Sequence, residues 1–193
     1  MTLKESLEAY RPYNEQEEKD KALLLEALLT QKNVFSRENR FCHFTASSWI
    51  VNKERTKILL CYHNLYQSWT WLGGHADGNE NLLEVCEKEI REEAGIQSAR
   101  PLLGDQIFSL ESLSVDGHVK RGEYVSTHLH LNVTYLFEAD SDEILTVKPD
   151  ENAGLKWCDF DDVLLQKKEP WYNEHIYPKL NAKLRAFIQT GHC

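Results

Sequence analysis

The sequence predicts a single α/β domain behind a helical N-terminal extension, with residues 1–36 as the extension and 37–193 as the domain. Three observations predict it. The composition, 41% hydrophobic and 27% charged over 193 residues, is that of one globular domain with a real core. Apolar runs of strand period alternate with runs of helical period. No internal repeat, low-complexity tract or Pro/Gly-rich linker divides the chain.

The elements follow in order. Asn14 with Glu17 three residues on resembles a capping arrangement, and the run from Lys19 to Leu29, with Leu23, Leu24, Leu25, Leu28 and Leu29, carries helical periodicity. Phe44 to Val51 reads as a strand, the polar residues Asn52 to Lys57 as a turn, and Ile58 to Tyr62 as a second strand closing a hairpin. A helix is expected from about Asn81 to Ala94, ended by Gly95. Ile107 to Leu110 and Leu129 to Phe137 are expected strands. The second of these has apolar residues at 129, 131, 133, 135 and 137, and His128, His130, Asn132 and Thr134 on its other face. Between them lies a loop, Ser112 to Glu123. Ile176 to Ile188 is helical again.

Charge and cysteines exclude whole classes. A net charge of −9 disfavours general nucleic-acid binding. No apolar stretch reaches the roughly 18 residues of a membrane span, and the charged N-terminus is unlike a signal peptide, so a soluble cytoplasmic protein is expected. Five cysteines without a CxxC spacing suggest reduced, mostly buried thiols, not a disulfide framework or a zinc knuckle.

The helix at 81–94 carries the chemistry. On a helical wheel started at Leu82, the apolar residues Leu82, Leu83, Cys86, Ile90 and Ala94 occupy a sector about 120° wide. Glu89, Glu92 and Glu93 fall near about 340°, 280° and 20°, along one edge of that stripe. As i,i+3 and i,i+4 neighbours they repel one another, and they oppose the macrodipole near the helix C-terminus. A divalent cation would neutralise them, and all-oxygen ligands favour Mg²⁺ or Mn²⁺. The solvated face is accounted for separately by Glu84 with Lys88 and Glu87 with Arg91.

At this point the chain resembles the Nudix hydrolase family. Its box, G-x5-E-x7-R-E-U-x-E-E-x-G-U, lies over Gly74 to Ile96, with Glu80, Glu89, Ile90, Glu92, Glu93, Gly95 and Ile96 in place. One position departs: Lys88 stands where the family has arginine, so a planar donor fork becomes a point charge that still reaches Glu92 at i+4. The resemblance implies a mixed, curved β-sheet sandwiched between helices, and Mg²⁺-dependent hydrolysis of a small nucleotide-type diphosphate linked to another moiety. It implies metal ligation by Glu89, Glu92, Glu93 and the Gly73 carbonyl, with Glu151 resembling the further acidic ligand before a late strand. Glu93 is the expected base, and Glu92 and Lys88 complete the catalytic group. A homodimer is compatible with it. The alternative is a non-catalytic Nudix module that binds a nucleotide or sugar derivative as a sensor, and Lys88 is the feature favouring that reading.

Weaker constellations surround the box. His128 and His130 project from one strand face and could bind zinc or touch substrate, but the sequence offers no third ligand. Trp69 and Trp71 precede the Gly-Gly turn, where a ring stacks on a base or packs in the core. Lys120 and Arg121, between Gly117 and Gly122, either close over a diphosphate or form a solvated hairpin tip.

Overall fold

The structure, a computed structural model, describes residues 1–120, 122–166, 168 and 170–190. Two helices open the chain, α1 (Leu3–Ala9) and α2 (Glu15–Thr30), each started by a side-chain cap: Thr2 in a capping box, and Asn14 accepting from the Glu17 N–H. The expected helix thus begins four residues earlier than its apolar periodicity showed, because Glu15 to Glu18 form an acidic, polar first turn. α1 has seven residues and had no sequence signal.

The strands are β1 (Cys42–Asn52), β2 (Lys57–His63), β3 (Ser68–Thr70), β4 (Leu72–His75), β5 (Arg100–Pro101), β6 (Ser109–Val115), β7 (His118–Lys120), β8 (Glu123–Val125), β9 (His128–Ala139) and β10 (Asn152–Asp159). Eight of them form one mixed sheet with the path β10-β2-β1-β9-β5, while β3 pairs with β2, β4 with β1 and β6 with β9. Its centre is the parallel pair of β1 and β9, in register from Cys42 with Leu129 to Asn52 with Ala139. The expected loop from Ser112 is corrected: strand β6 runs on to Val115, and β7 and β8 form a separate hairpin in which Lys120 ends β7. Arg121 lies outside the described residues.

Helices cover both faces. α3 (Leu82–Ala94) packs its Cys86, Ile90 and Ala94 with Phe44, Ala46 and Leu131 of the sheet, and Leu7 and Leu24 of the N-terminal helices join this layer. On the other side Trp49, Ile58, Trp71 and Phe108 pack on Tyr177, Leu180 and Leu184. Those last three belong to the C-terminal helix (Tyr177–Thr190), which follows a short helix, α4 (Phe160–Val163), and a π-helical turn (Tyr172–Ile176). Cys42, Cys61, Cys86 and Cys158 are buried and form no disulfide among the described residues, and Cys193 lies outside those residues.

One buried stretch of sheet is polar. Asn132 accepts from Thr45 and Ser47 hydroxyls at 3.0 and 2.8 Å and donates to Glu111 at 2.8 Å; Thr134 also donates to Glu111, at 2.8 Å. Lys179 then joins Glu111 at 2.9 Å and Glu17 at 3.2 Å, and Lys183 joins Glu17 at 3.0 Å. The polar face of β9 is therefore not a solvated surface. Its donors and acceptors are matched side chain to side chain, which is what permits their burial.

Candidate active site

α3 is positioned by its ends. Asn81 caps it, and Gly95 ends it with φ 75°, a left-handed conformation in which a Cβ would also meet Thr146 at 3.0 Å. This fixes the three glutamates against β4. Glu93 is 3% exposed and accepts the Gly73 N–H at 3.0 Å. Glu89 fits only because Gly74 has no side chain: a Cβ there would lie 2.5 Å from Glu89 Oε1. The two glycines expected to form a turn are instead paired residues of strand β4, opposite Ser47 and Ala46, and Gly74 leaves room for Glu89 where it lies.

Electrostatics separate the carboxylates. Burial pushes Glu93 up to about 8, with the charges of Glu89 and Glu151 adding to it and the Gly73 N–H opposing it. Glu89 is also raised, first by burial and then by Glu151 and Glu92, against the opposing charge of Lys88. Glu92, at the rim, is lowered by the hydrogen bond from Lys148. Lys148 lies 3.0 Å from Glu92 and 3.1 Å from Glu151, so it ties the loop before β10 to the helix. Lys88 lies 3.6 Å from Glu92 and 3.9 Å from Glu89.

Of the expected oxygen donors, Glu93 meets Gly73, Glu92 and Glu151 share Lys148, and the charges of Glu89 and Glu151 act on Glu93. These residues fit a divalent cation: the donors are hard oxygens, like charges are crowded at half-buried positions, and an ammonium already bridges two of them. Two contributors gave no sequence signal. Lys148 sits in an irregular segment, and Asn152 donates from its side chain to the Glu93 carbonyl at 2.9 Å, leaving its own buried Oδ1 without a hydrogen bond.

The expected substrate residues fall elsewhere. Trp69 is half-buried, with the Lys156 ammonium 4.1 Å over its ring and Tyr62 against its edge. Trp71 packs in the core between Trp49, Tyr172 and Tyr177. His128 and His130 come together, with Nε2 atoms 3.2 Å apart, alongside His43 and His75. Lys120 is close enough for its charge to depress the His75 value, after burial and Arg37. In the β7–β8 hairpin, His118 has its ring 6.5 Å from that of His128.

A mixed sheet whose β4 carries two glycines against a helix with a buried, a half-buried and a rim glutamate defines a class of phosphoanhydride hydrolases. The NUDIX domain model matches residues 43–180, and the chain belongs to the Nudix family as one of its hydrolases, acting on phosphoanhydride bonds. Among solved structures, a NUDIX-family hydrolase from Clostridium perfringens is 25% identical, with TM-score 0.53 over 75% of this chain and 97% of that one. An Ap4A hydrolase from C. elegans, in a binary complex, is 18% identical with TM-score 0.51 over 76% and 97%. The NUDIX domain of Shewanella oneidensis NrtR, crystallised with ADP ribose, is 14% identical with TM-score 0.53 over 84% and 97%. The last two likenesses show the fold alone. No curated protein matches the chain. Among the described residues no helix is long and apolar enough to cross a membrane.

Proposed function

We propose that this hydrolase cleaves a small nucleotide-type diphosphate linked to another moiety, using Mg²⁺ or Mn²⁺. The observation that carries the reading is the set of glutamates of α3, with Glu93 on the Gly73 N–H, Glu89 against Gly74 and Glu92 tied through Lys148 to Glu151. The four carboxylates and the Gly73 carbonyl would hold the cation. When bound, it supplies Lewis acidity at the diphosphate oxygens and makes water more acidic. Glu93, buried on the side of α3 that faces Gly73, takes the proton as the water oxygen bonds to phosphorus and the P–O anhydride bond breaks. Lys88 and Lys148 orient Glu92. A Mg²⁺-supplemented screen of dinucleoside polyphosphates, nucleoside diphosphate sugars and nucleoside triphosphates, with products identified by mass, tests the proposal. Cleavage across a P–O–P linkage supports it. Tight binding with no product in the whole set would instead make the chain a sensor.

Two variants refine this reading. Lys88→Arg is expected to keep or raise turnover, because a guanidinium offers a donor fork to Glu92 and Glu89, both already within 3.9 Å. A loss above tenfold in kcat, about 1.4 kcal/mol, would show that the ammonium is specifically needed. Lys120→Ala is expected to raise KM several-fold with little change in kcat, the signature of lost uniform binding by a cation on the β7–β8 hairpin. Steady-state kinetics decide it, and unchanged values would make the hairpin an ordinary solvated turn.

A further inference from the structure

We propose that His43, His128 and His130 form a second metal site, distinct from the carboxylates, that takes a transition-metal dication, with Zn²⁺ the best match. The three residues come from two strands. His43 and His130 are directly paired in the parallel register of β1 and β9, and His128 lies two residues before His130 on the same face. One ring nitrogen from each lies within 4.8 Å of the others.

Hydrogen bonding fixes which nitrogens are available. His43 Nδ1 lies 3.0 Å from the Asn39 carbonyl and His128 Nδ1 lies 2.8 Å from the Ser126 carbonyl. A carbonyl only accepts, so both Nδ1 atoms carry the proton and both Nε2 atoms present lone pairs. A backbone carbonyl holding the far nitrogen is the arrangement that orients histidines on metals. A proton on His130 Nε2, 3.2 Å from His128 Nε2, satisfies that one neighbour. It leaves His43 Nε2, on a residue 4% exposed, with no hydrogen bond at all. A buried lone pair without a partner is costly, and one cation shared by three imidazoles takes up the lone pairs of His43 and His128 Nε2 together.

Size and softness agree. Donors at about 2.0–2.1 Å in a tetrahedron lie roughly 3.4 Å apart, which the His128–His130 pair already matches, and a small ring rotation brings in His43. Imidazole selects zinc-like ions, whereas the glutamates select hard Mg²⁺ or Mn²⁺, so the two sites do not compete for one metal. They lie on opposite faces of β4: Gly74 faces Glu89, and the next residue, His75, stands 4.9 Å from the His130 ring. The site pins the starts of β1 and β9 together.

The test loads the full chain with Zn²⁺ or Co²⁺ alone, dialyses it, and measures metal content, with X-ray absorption on the zinc form. The expected result is one retained equivalent with nitrogen-dominated ligation and a tetrahedral Co²⁺ visible spectrum, unchanged in Glu93→Gln. His43→Gln and His130→Gln, checked for fold by circular dichroism, are expected to weaken Zn²⁺ affinity by more than about 100-fold. No stoichiometric metal in the wild type, oxygen-only ligation, or loss on Glu93→Gln with retention in both histidine variants would overturn the proposal. If either histidine variant misfolds, the wild-type absorption and Co²⁺ spectra still decide.

Discussion

Glu93→Gln is expected to lower kcat by at least about 10³-fold, roughly 4 kcal/mol of barrier, while the chain keeps its fold. The substitution is nearly isosteric, so the amide can still accept the Gly73 N–H that now reaches Glu93 Oε2 at 3.0 Å. What it removes is a cation ligand and a base at once. Removing charge also relieves the repulsion from Glu89 and Glu151 that, with burial, lifts Glu93 to about 8. The sign of the stability effect follows. Without a cation, the raised value means that the fold is best supported below the ordinary pH of 4.5 and loses that support as pH climbs towards about 8. The rise in Tm on adding Mg²⁺ should therefore be larger at high pH than near pH 5, and Glu93→Gln should melt higher than the wild type in a chelator at high pH. Thermal melts at the two pH values, paired with single-turnover kinetics, check both halves. Wild-type turnover in the variant would remove Glu93 from the mechanism, and equal Mg²⁺ shifts at both pH values would remove its role as a ligand.

Much of this site was legible because it is local. The wheel that put Glu93 on the apolar side of its helix needed only 13 residues of one element, and the structure buries that side chain with Cys86, Ile90 and Ala94. The alternation of Leu129, Leu131, Val133, Tyr135 and Phe137 marked β9 for the same reason. What sequence could not supply is pairing over distance. The third histidine, His43, is 87 residues from His130 and meets it only through the parallel register of β1 with β9, which no hydrophobic pattern encodes. β6 was hidden from Glu111 onwards because Glu111, Ser112 and Ser114 break its apolar run, although Glu111 is buried with Ser109 against Asn132, Thr134 and Lys179 and Leu113 and Val115 are buried on the same face. A period-2 search for apolar residues is blind to a strand whose buried face is satisfied by hydrogen bonds. Glu151 was found through the resemblance, but Lys148, which ties it to Glu92, was not, since an ion pair spanning loop and helix leaves no periodic trace.

The same long-range polar pairing makes Glu17→Gln the most destabilising single change expected outside the apolar core, at about 3–5 kcal/mol. Glu17 is fully buried on α2 and sits between Lys183 at 3.0 Å and Lys179 at 3.2 Å, with the Tyr10 hydroxyl and the Tyr13 N–H donating to its other oxygen. Burial alone would raise its carboxyl, but the two ammonium groups and these donors outweigh burial and hold it at about 2. The stability it confers is thus complete above pH 4.5 and is lost as pH falls towards 2. A neutral amide leaves Lys179 paired with Glu111 but takes from the almost fully buried Lys183 the carboxylate it is paired with, and the charge left unmatched is what unfolds the protein. Because Glu17 and the lysines belong to opposite ends of the chain, the variant should free the N-terminal helices from the C-terminal one. Urea unfolding at pH 7 checks this through a lowered midpoint at unchanged slope. Adding Lys183→Met to Glu17→Gln should restore part of the loss, since the orphaned charge is then gone. A midpoint shift worth less than about 1 kcal/mol, the range of an exposed pair, would show that water enters this network and screens it.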